Sequence, residues 1–496
     1  LDNCPNDYEY RLGFENKYYY IDMLTERQDG GYYNGGRVTI MPCDWSEIEY
    51  FDREFSIKVP NHCEVLEMKA VPPMSDPRQK IEEALDNPIA SKKLEKIIED
   101  NSKDPSSITV AIAVSDNTRP VPYNCDDKEG ILLPILNRLK MGGIKKENIS
   151  IIVGCGTHQA TTKQWKKDAF GTDIVNEYKI VDHDCYSEDL EPLGMIQGIP
   201  VKVNKAFWDS DIHIITGLVE THLMAGASGG RKAVCPGMVN IGATQVFHGP
   251  EFMENKNAAN LVFKNNPCHE FALEVAKRTR VDFSVNVILN GDTRLCGVFA
   301  GELEKAHQLA VDKIREYTQV EVDSEYDIIV THGGKGAVNH YQALKAADGT
   351  IPVIKEGSIV ILVAHNKDVE PIGNEHYKRL MRVFVEKGLG NYLPMIKDPK
   401  WQFTPDQWEP QKWEQFFLKT GAFDNLIYCT TNISPKDLDL LPGTSGYTLV
   451  EKSSPKIEEI VQNAVLYAIH KKGKDSRMAF VKQGFYVVLK KSSNCE

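Results

Sequence analysis

The chain has 496 residues, of which 42% are hydrophobic and 26% are charged, and its formal net charge is −12. This length accommodates roughly two to four domains, and the composition is that of a globular protein. The negative charge argues against nucleic acid or an anionic membrane surface as a partner. No run of 18 apolar residues occurs, so the sequence predicts no transmembrane helix.

The cysteine content and the N-terminal residues predict a cytoplasmic protein. The 11 cysteines are an odd number and contain no Cys-x-x-Cys pair, which fits a reducing compartment better than a disulfide framework. Cys155 and Cys235 stand beside the motifs described below, and we expect them to be small packing residues. The polar residues Leu1 to Cys4 do not resemble a signal peptide.

The N-terminal third is weakly patterned. Residues 1–54 are rich in Tyr, Asp, Glu and Gly, and we interpret them as an N-terminal extension or part of a small β layer. The alternation of apolar and polar residues in Phe55–Pro60 predicts a half-buried strand. The segment Pro88–Ile98 predicts a helix with proline in its first turn.

Three apolar runs follow, and each ends in a polar cluster. The runs with their clusters are Ile108–Val114 with Asp116–Pro120, Ile149–Val153 with Gly154–His158, and Ile212–Leu218 with Glu220–His222. Helices are predicted over Gly130–Leu139 and Thr162–Phe170. Repeated strand, loop and helix indicate an α/β domain with a mainly parallel sheet. Ligands bind at the carboxyl ends of such strands, so we expect the three clusters to share one site.

The second half of the chain predicts another α/β domain. Its predicted elements are the helices Leu303–Tyr317 and Pro455–Ala468 and the strands Tyr326–Val330, Gly357–Ala364, Leu426–Cys429 and Phe480–Leu489. The expected fold class is therefore two α/β domains with mainly parallel sheets and an active-site cleft between them. The expected ranges are 1–54 for the extension, 55–302 for the first domain and 303–470 for the second. Residues 471–496 are expected to form a C-terminal strand and tail that pack back onto the fold.

The stretch Gly217–Gly237 places a glycine turn and a lysine directly after a strand. Ser228, Gly229 and Gly230 form a turn whose backbone N–H groups can approach an anion, and Lys232 follows. A lysine in this position either grips a phosphate or, as a deprotonated amine, forms a covalent anchor. The alternative is a solvated lysine on a flexible loop. Neither the P-loop nor the Gly-x-Gly-x-x-Gly signature is present, which argues against an ordinary nicotinamide-binding fold.

Polar residues near the other strand ends suggest acid–base and metal chemistry. Arg119, in Asp116-x-Thr-Arg-Pro, carries a forked cation suited to a carboxylate or phosphate, or else forms a structural pair with Asp116. His158 and His222 are candidate acid–base groups, although loop histidines are often structural. His248 is a candidate nitrogen ligand for a borderline metal or a hydrogen-bonded turn histidine.

A further cluster lies in the second half of the chain. Tyr341, Gln342 and Lys345 are close in sequence, and on a helix Gln342 and Lys345 share a face. That face suits a substrate carboxylate, or it is simply solvated. Trp408 either lines a pocket or packs in the core.

In their order and spacing, these motifs resemble the nickel-pincer lactate racemase family over roughly residues 55–470. The resemblance implies a nickel-carrying pyridinium-3-thioamide-5-thiocarboxylate mononucleotide, tethered covalently to Lys232, with His248 as a nickel ligand. It implies that His158 and His222 are the acid–base pair on opposite faces of the substrate. The implied enzyme is an isomerase that inverts C2 of a 2-hydroxy acid by reversible hydride transfer to the cofactor, which separate biosynthetic enzymes supply.

The resemblance also implies roles for the remaining candidates. The residues implied to bind substrate are Arg119, Tyr341, Gln342, Lys345 and Trp408, and those implied to hold the cofactor are Asp116, Ser228, Gly229 and Gly230.

Departures from the family pattern cluster around His222, where we expect proline and more aromatic bulk. If these positions line the pocket, the substrate is an acid larger than lactate, such as gluconate. The residues concerned are Thr221, Leu223, Met224 and Ala227, and Asn339 and His340 would suit extra hydroxyl groups.

Two alternatives to this racemase stay open. The first is a zinc-dependent hydrolase using His158, His222 and His248, although their separations of 64 and 26 residues match no local zinc signature. The second is a non-catalytic cofactor carrier, against which the presence of two acid–base candidates speaks.

Overall fold

The computed structural model describes residues 8–15, 18–26, 32–124 and 128–492, with side chains from residue 44 onward within these ranges. The chain divides into two compact units. We call Lys69–Thr318 the central unit, and Leu1–Met68 with Gln319–Glu496 the terminal unit. This division differs from the ranges expected above, because the helix that begins at Leu303 lies in the central unit.

The central unit is built on a six-stranded sheet. Its strands, in spatial order, are Leu295–Gly301, Phe283–Leu289, Ile212–Leu218, Val110–Ser115, Ile149–Gly154 and Lys179–Asp182. All neighbours run parallel except the first pair. Two small antiparallel pairs accompany the sheet, Leu190–Ile196 with Ile199–Asn204 and Thr221–His222 with Gly226–Ala227. Because helices cover a parallel sheet on its faces, its strands are buried apolar runs, as the sequence predicted.

The α-helices of the central unit are Pro77–Asp86, Leu94–Glu99, Leu132–Met141, Lys163–Phe170, Thr172–Glu177, Lys205–Trp208, Ile241–Phe247, Pro250–Glu254, Pro267–Arg278 and Leu303–Thr318. The predicted helices Gly130–Leu139, Thr162–Phe170 and Leu303–Tyr317 are confirmed to within about two residues. Thr162 caps the second of these, because its hydroxyl accepts the backbone N–H of Trp165.

The terminal unit contains a six-stranded sheet that is parallel throughout. Its strands, in spatial order, are Thr444–Ser445, Leu426–Cys429, Ile354–Val363, Tyr326–His332, Met478–Val481 and Glu64–Leu66. An antiparallel sheet of four successive strands precedes it, Tyr8–Glu15, Tyr18–Glu26, Tyr32–Tyr50 and Arg53–Pro60. The fold class of mainly parallel α/β units is confirmed. The strand predicted at Phe55–Pro60 is present, but it is not half-buried, because every residue in it except Ser56 is buried.

The α-helices of the terminal unit are His340–Asp348, Glu375–Lys387, Tyr392–Ile396, Trp408–Thr420, Pro435–Leu438 and Ile457–Lys472. Short 3-10 turns in the two units are Pro105–Ser107, Lys146–Asn148, Gly230–Ala233, Gly334–Gly336, Ile351–Val353, Phe423–Asn425 and Gly446–Leu449. The terminal core packs Trp413, Phe384 and Phe417 on one face of the sheet, and a second cluster includes Phe480.

The predicted closing strand Phe480–Leu489 is wrong in extent. The segment is two strands, Met478–Val481 in the six-stranded sheet and Val488–Lys491 paired with Gln319–Val322. A turn at Gln483, which has a positive φ of 51°, separates them and is closed by the N–H groups of Tyr486 and Val487.

The predicted helix Pro88–Ile98 is also wrong over its first half, since the helix begins at Leu94. Ile89 instead forms an extended bridge beside Gly301. Its N–H donates to Ala300 O at 2.8 Å, and its carbonyl accepts the N–H of Glu302 at 2.9 Å. These tertiary hydrogen bonds hold Ile89 outside the helical conformation, and no local sequence pattern predicts them.

Within the described ranges, no helix is long and apolar enough to cross a membrane. The described cysteines are free thiols, namely Cys63, Cys155, Cys185, Cys235, Cys268, Cys296 and Cys429. Cys155 and Cys235 are buried, as expected of packing residues, and burial raises the pKa of Cys155 to about 12.

The bridge at Ile89 predicts that Gly301 tolerates no side chain. Its φ is +140°, and an added Cβ would lie 2.2 Å from Ile89 O. Gly301→Ala should lower the melting temperature of the central unit by about 5 °C or more, measured by calorimetry. Gly291→Ala is the matched control, because a Cβ there meets nothing within 4 Å. Equal melting temperatures for the two variants would contradict this account.

Candidate active site

The carboxyl ends of three adjacent parallel strands bring the polar clusters of the central unit together. The strands Val110–Ser115, Ile149–Gly154 and Ile212–Leu218 are neighbours, so their following loops emerge at the same edge. Side-chain contacts join the loops, because Asp116 contacts His158 and Arg119 contacts Glu220. The expectation that the three clusters meet is therefore confirmed.

Asp116 and His158 form a hydrogen-bonded pair. Asp116 Oδ2 lies 2.6 Å from His158 Nδ1, while its Oδ1 accepts from the N–H and hydroxyl of Thr118. Burial alone would raise the pKa of Asp116, but the hydrogen bonds from His158 and Thr118 outweigh it and hold the pKa below its usual range. The carboxylate is therefore ionised, which places the His158 proton on Nδ1 and the lone pair on Nε2.

Arg119 pairs with a residue that sequence reasoning missed. Its Nε lies 3.1 Å from Glu220 Oε1, and its Nη1 donates to Thr118 O at 2.8 Å. The alternative of a structural pair with Asp116 is not observed, since Asp116 is occupied by His158. The only available signal for Glu220 was its place directly after the strand Ile212–Leu218.

His222 and Lys232 contact each other directly. Lys232 Nζ lies 2.6 Å from His222 Nε2, and His222 Nδ1 accepts the backbone N–H groups of Met224 and Ala225, each at 3.3 Å. Burial, followed by the charges of Arg119 and Arg231, lowers the pKa of Lys232 well below its usual range. A lowered pKa favours the free amine, which is the form a covalent anchor needs.

The glycine turn is shaped by protein packing. A Cβ on Gly229 would lie 2.7 Å from Val219, and one on Gly230 would lie 2.7 Å from the His307 ring. Gly230 N–H donates to Asn286 Oδ1 at 2.9 Å, and the buried Ser228 hydroxyl donates to Leu218 O at 2.7 Å. The backbone N–H groups of Ser228 and Gly230, which were expected to approach an anion, instead donate to Glu220 O and Asn286 Oδ1. What the turn does is set the position of Lys232.

Arg231 and His307 support this turn from inside the central unit. Both are buried, and Arg231 Nη1 lies 3.0 Å from His307 Nε2, which is itself 2.8 Å from Ser228 O. Burial lowers the pKa of Arg231 to about 9. Sequence reasoning passed over Arg231 because arginine is rarely buried, and it passed over His307 because that residue lies on a distant helix.

His248 directly follows the helix Ile241–Phe247. Its Nδ1 lies 3.2 Å from Thr244 O, so Nδ1 carries the proton and the lone pair is on Nε2. Burial lowers the pKa of His248 to about 3, which keeps the ring neutral at working pH. The ring of Phe247 lies 5.2 Å below Lys232 Nζ, so this helix end and the lysine belong to one neighbourhood. The His248 tautomer with its lone pair on Nε2 is the one that a metal ligand requires.

In the terminal unit, the expected helix carrying Tyr341, Gln342 and Lys345 is confirmed as His340–Asp348. Trp408 Nε1 donates to Tyr341 OH at 3.2 Å, so these two expected substrate residues contact each other. Gln342 N–H is capped by Asn339, and Lys345 Nζ lies 4.3 Å from the Phe485 ring centroid.

Glu409 adds a buried acid to this cluster that sequence reasoning missed. Burial, with Asp406 adding repulsion, raises the pKa of Glu409 to about 8, so its carboxyl group is protonated at neutral pH. Tyr341 also interacts with this group, and burial is the main reason why the pKa of Tyr341 lies well above its usual range. Glu409 next to Trp408 carries no sequence signal, because its burial depends on packing.

The four residues cited for a larger pocket differ in exposure, since Thr221 is partly exposed and the other three are buried. Leu223, Met224 and Ala227 are buried in the protein. His340 is fully buried, where it stacks on Trp413 and contacts Tyr377 OH, and Asn339 caps its helix and bonds Asp368. The interpretation of His340 and Asn339 as partners for extra substrate hydroxyls is therefore wrong, since packing and capping occupy them.

The zinc alternative has no support in the described part of the chain. No group of three or more His, Cys, Asp and Glu residues there is arranged to hold a metal ion. His158 uses Nδ1 for its hydrogen bond to Asp116, and His222 uses Nδ1 to accept from two backbone amides. His222 Nε2 faces Lys232.

Comparison with known proteins gives consistent results. Residues 50–260 match the lactate racemase N-terminal domain. Lactate racemase of Thermoanaerobacterium thermosaccharolyticum is 31% identical over 337 residues, covering 67% of this chain and 75% of that protein. Lactate racemase of Lactiplantibacillus plantarum is 28% identical over 416 residues, covering 83% and 91% respectively.

Solved structures show the same relation. The lactate racemase apoprotein of T. thermosaccharolyticum superposes with a TM-score of 0.78 at 25% identity, covering 90% of this chain and 100% of that one. A crystal structure of a Thermotoga maritima protein shares the fold alone, with a TM-score of 0.57 at 16% identity, covering 84% and 99%. The chain therefore belongs to the lactate racemase family. It is an isomerase, a racemase or epimerase of 2-hydroxy acids.

Proposed function

We propose that this chain inverts C2 of a 2-hydroxy acid with His158 and His222 as its proton-handling residues and a nickel-pincer nucleotide tethered to Lys232. The observation that carries the proposal is the complementary state of the two histidines. His158 donates through Nδ1 to Asp116, so its Nε2 can accept a proton. His222 accepts at Nδ1 from two backbone amides, so its Nε2 carries a proton that it can give. A reaction that removes and returns a hydroxyl proton needs one group of each kind.

The residues present fit the proposed cofactor. Burial and two arginines lower the pKa of Lys232, which favours the free amine needed to form a thioamide. His248 has the tautomer needed to bind nickel through Nε2. When bound, the cofactor supplies an acceptor and donor for the C2 hydride. Other enzymes would make the cofactor, and the free thiols of the chain support a cytoplasmic location.

The protein's own residues would position the acid and move its proton. His158 would take the hydroxyl proton as the C2–H bond breaks, while the ionised Asp116 stabilises the resulting imidazolium. His222 would return a proton when the opposite face is rebuilt. Arg119, held by Glu220, would bind the carboxylate. We assign further substrate contacts to Tyr341, Gln342, Lys345 and Trp408, on the strength of the family resemblance.

The size of the acid is the finer part of the proposal. The sequence-based preference for a sugar acid such as gluconate now depends on Thr221, which is partly exposed beside His222. A threonine hydroxyl there offers a hydrogen bond to a polyhydroxy chain that lactate lacks.

The test is to produce the chain together with cofactor-biosynthesis enzymes and to measure intact mass and turnover. We expect an adduct that maps to Lys232, is absent from Lys232→Ala, and accompanies inversion of a 2-hydroxy acid. Gluconate and lactate are compared side by side, with gluconate expected to be the faster substrate. A loaded protein that inverts neither acid would contradict the function, and faster turnover of lactate would contradict the sugar-acid assignment alone.

The Asp116–His158 contact generates a separate prediction. Asp116→Asn should lower kcat by about 10²-fold or more, because the amide neither fixes the Nδ1–H tautomer nor stabilises the imidazolium. The measurement is turnover of the loaded variant, with circular dichroism to confirm folding. Asp173→Asn, at an exposed helix start, is the matched control and should leave kcat unchanged. Activity of Asp116→Asn within threefold of wild type would show that His158 does not depend on this carboxylate.

A further inference from the structure

The contact between His222 and Lys232 has a defined direction. His222 Nδ1 faces two N–H donors, from Met224 and Ala225, so a proton on Nδ1 would point at two other protons. The neutral ring therefore carries its proton on Nε2. Nε2–H in turn points at Lys232 Nζ, 2.6 Å away. The lysine nitrogen must accept this hydrogen bond, and an ammonium group has no lone pair with which to do so.

The surroundings of Lys232 favour the same state. Its turn packs closely at Gly229 and Gly230, which fixes the backbone from which the lysine side chain starts. The titratable or charged groups that act on Lys232 are His222, Arg119, Arg231, Cys235 and Cys268, and Lys232 and His158 in turn act on His248. The two arginines repel an ammonium charge. Burial raises the pKa of the Cys235 thiol, so this thiol carries no negative charge at neutral pH that would favour the ammonium form.

We propose that the loop 222–225 stores Lys232 as a free-base nucleophile through the Nε2–H of His222, and that acylation of the lysine then frees His222 for the substrate. The release of His222 on acylation rests on the proposed function, since the acyl group is the cofactor. The storage of Lys232 as a free base concerns the unloaded chain alone. His222 is thus a positioning residue for tethering before it becomes a catalytic residue.

The covalent step balances without an oxidant or reductant. The lone pair of Lys232 Nζ forms the N–C bond to a thiocarboxyl carbon, and the C–O bond breaks. The oxygen leaves as water, which takes one proton from the lysine nitrogen and keeps the one that the thiocarboxylic acid already carries on this oxygen. The product nitrogen is a planar thioamide that carries one N–H and no available lone pair. It can no longer accept from His222 Nε2–H, so the contact that held the histidine in the unloaded chain is lost.

The first test is the pH profile of acylation of the unloaded chain with trace acetic anhydride, read by peptide mass spectrometry. The midpoint of the profile for Lys232 should lie about two pH units or more below that of the exposed Lys305. A midpoint reports the protonation state and does not depend on how accessible the amine is. The wild-type chain suffices for this comparison, so it does not depend on a variant that folds.

A variant separates the histidine from burial. His222→Leu should raise the Lys232 midpoint by about one pH unit, because the donor that favours the free base is gone. His376→Leu, at an exposed position, is the matched control and should leave the midpoint unchanged. A Lys232 midpoint equal to that of Lys305, or no labelling of Lys232 at any pH at which Lys305 reacts, would overturn the proposal. An unchanged midpoint in His222→Leu would overturn the role of the histidine.

The release of His222 has its own readout. In the unloaded chain, nitrogen-15 NMR of the ring should show a protonated Nε2 whose hydrogen exchanges slowly with water. With acetyl-lysine placed at position 232, that hydrogen should exchange about tenfold faster, because its acceptor is gone. Equal exchange rates would contradict the release. These measurements use no cofactor, so they separate this inference from the proposed function. A low acylation midpoint for Lys232, together with no cofactor adduct after production with the biosynthetic enzymes, would refute the proposed function. A cofactor adduct on a Lys232 whose acylation midpoint equals that of Lys305 would refute this inference alone.

Discussion

The state of the Lys232 amine is the constraint on which the central unit's site depends. An amine charged at neutral pH can bind an anion, but it cannot form a thioamide. Here burial and two neighbouring arginines lower the pKa of the amine, and His222 Nε2 lies 2.6 Å from Lys232 Nζ. Both observations favour the free amine over the ammonium form that would bind a phosphate.

Packing behind the lysine makes this state stable. Gly229 and Gly230 let the turn lie directly against Val219 and the His307 ring. Arg231 and His307 then fill the interior behind the turn and bond its carbonyl groups. The glycine-rich stretch serves the lysine by fixing its backbone, while Gly230 N–H donates to Asn286 and Ser228 N–H donates to Glu220 O. The sequence pattern at Gly229 and Gly230 is typical of an anion-binding turn, whereas in the structure these glycines allow close packing behind Lys232.

The fold class was predictable because parallel strands are buried on both faces and leave unbroken apolar runs, such as Ile212–Leu218. The meeting of Asp116, His158 and His222 was predictable from the same fact, since their strands end at one edge. The start of the helix at Leu94 was not predictable, because hydrogen bonds from Ile89 to a distant strand decide it. The roles of Glu220, His307 and Glu409 were not predictable either, because they arise from contacts between segments far apart in the chain. The burial of Leu223 and Met224 was not predictable either, because sequence does not reveal which way a loop side chain points.

The two histidines form an asymmetric pair in the unloaded chain, one accepting and one donating at Nε2. In the proposed hydride mechanism, the hydrogen on C2 moves without passing through water, while the histidines handle only the hydroxyl proton. The most direct measurement is turnover of a 2-hydroxy acid deuterated at C2 by the loaded protein in ordinary water, with mass analysis of both enantiomers or epimers. This account predicts that the inverted product retains deuterium at C2. Replacement of that deuterium by solvent hydrogen at the rate of inversion would contradict it, because one of the histidines would then be abstracting the C2 proton itself.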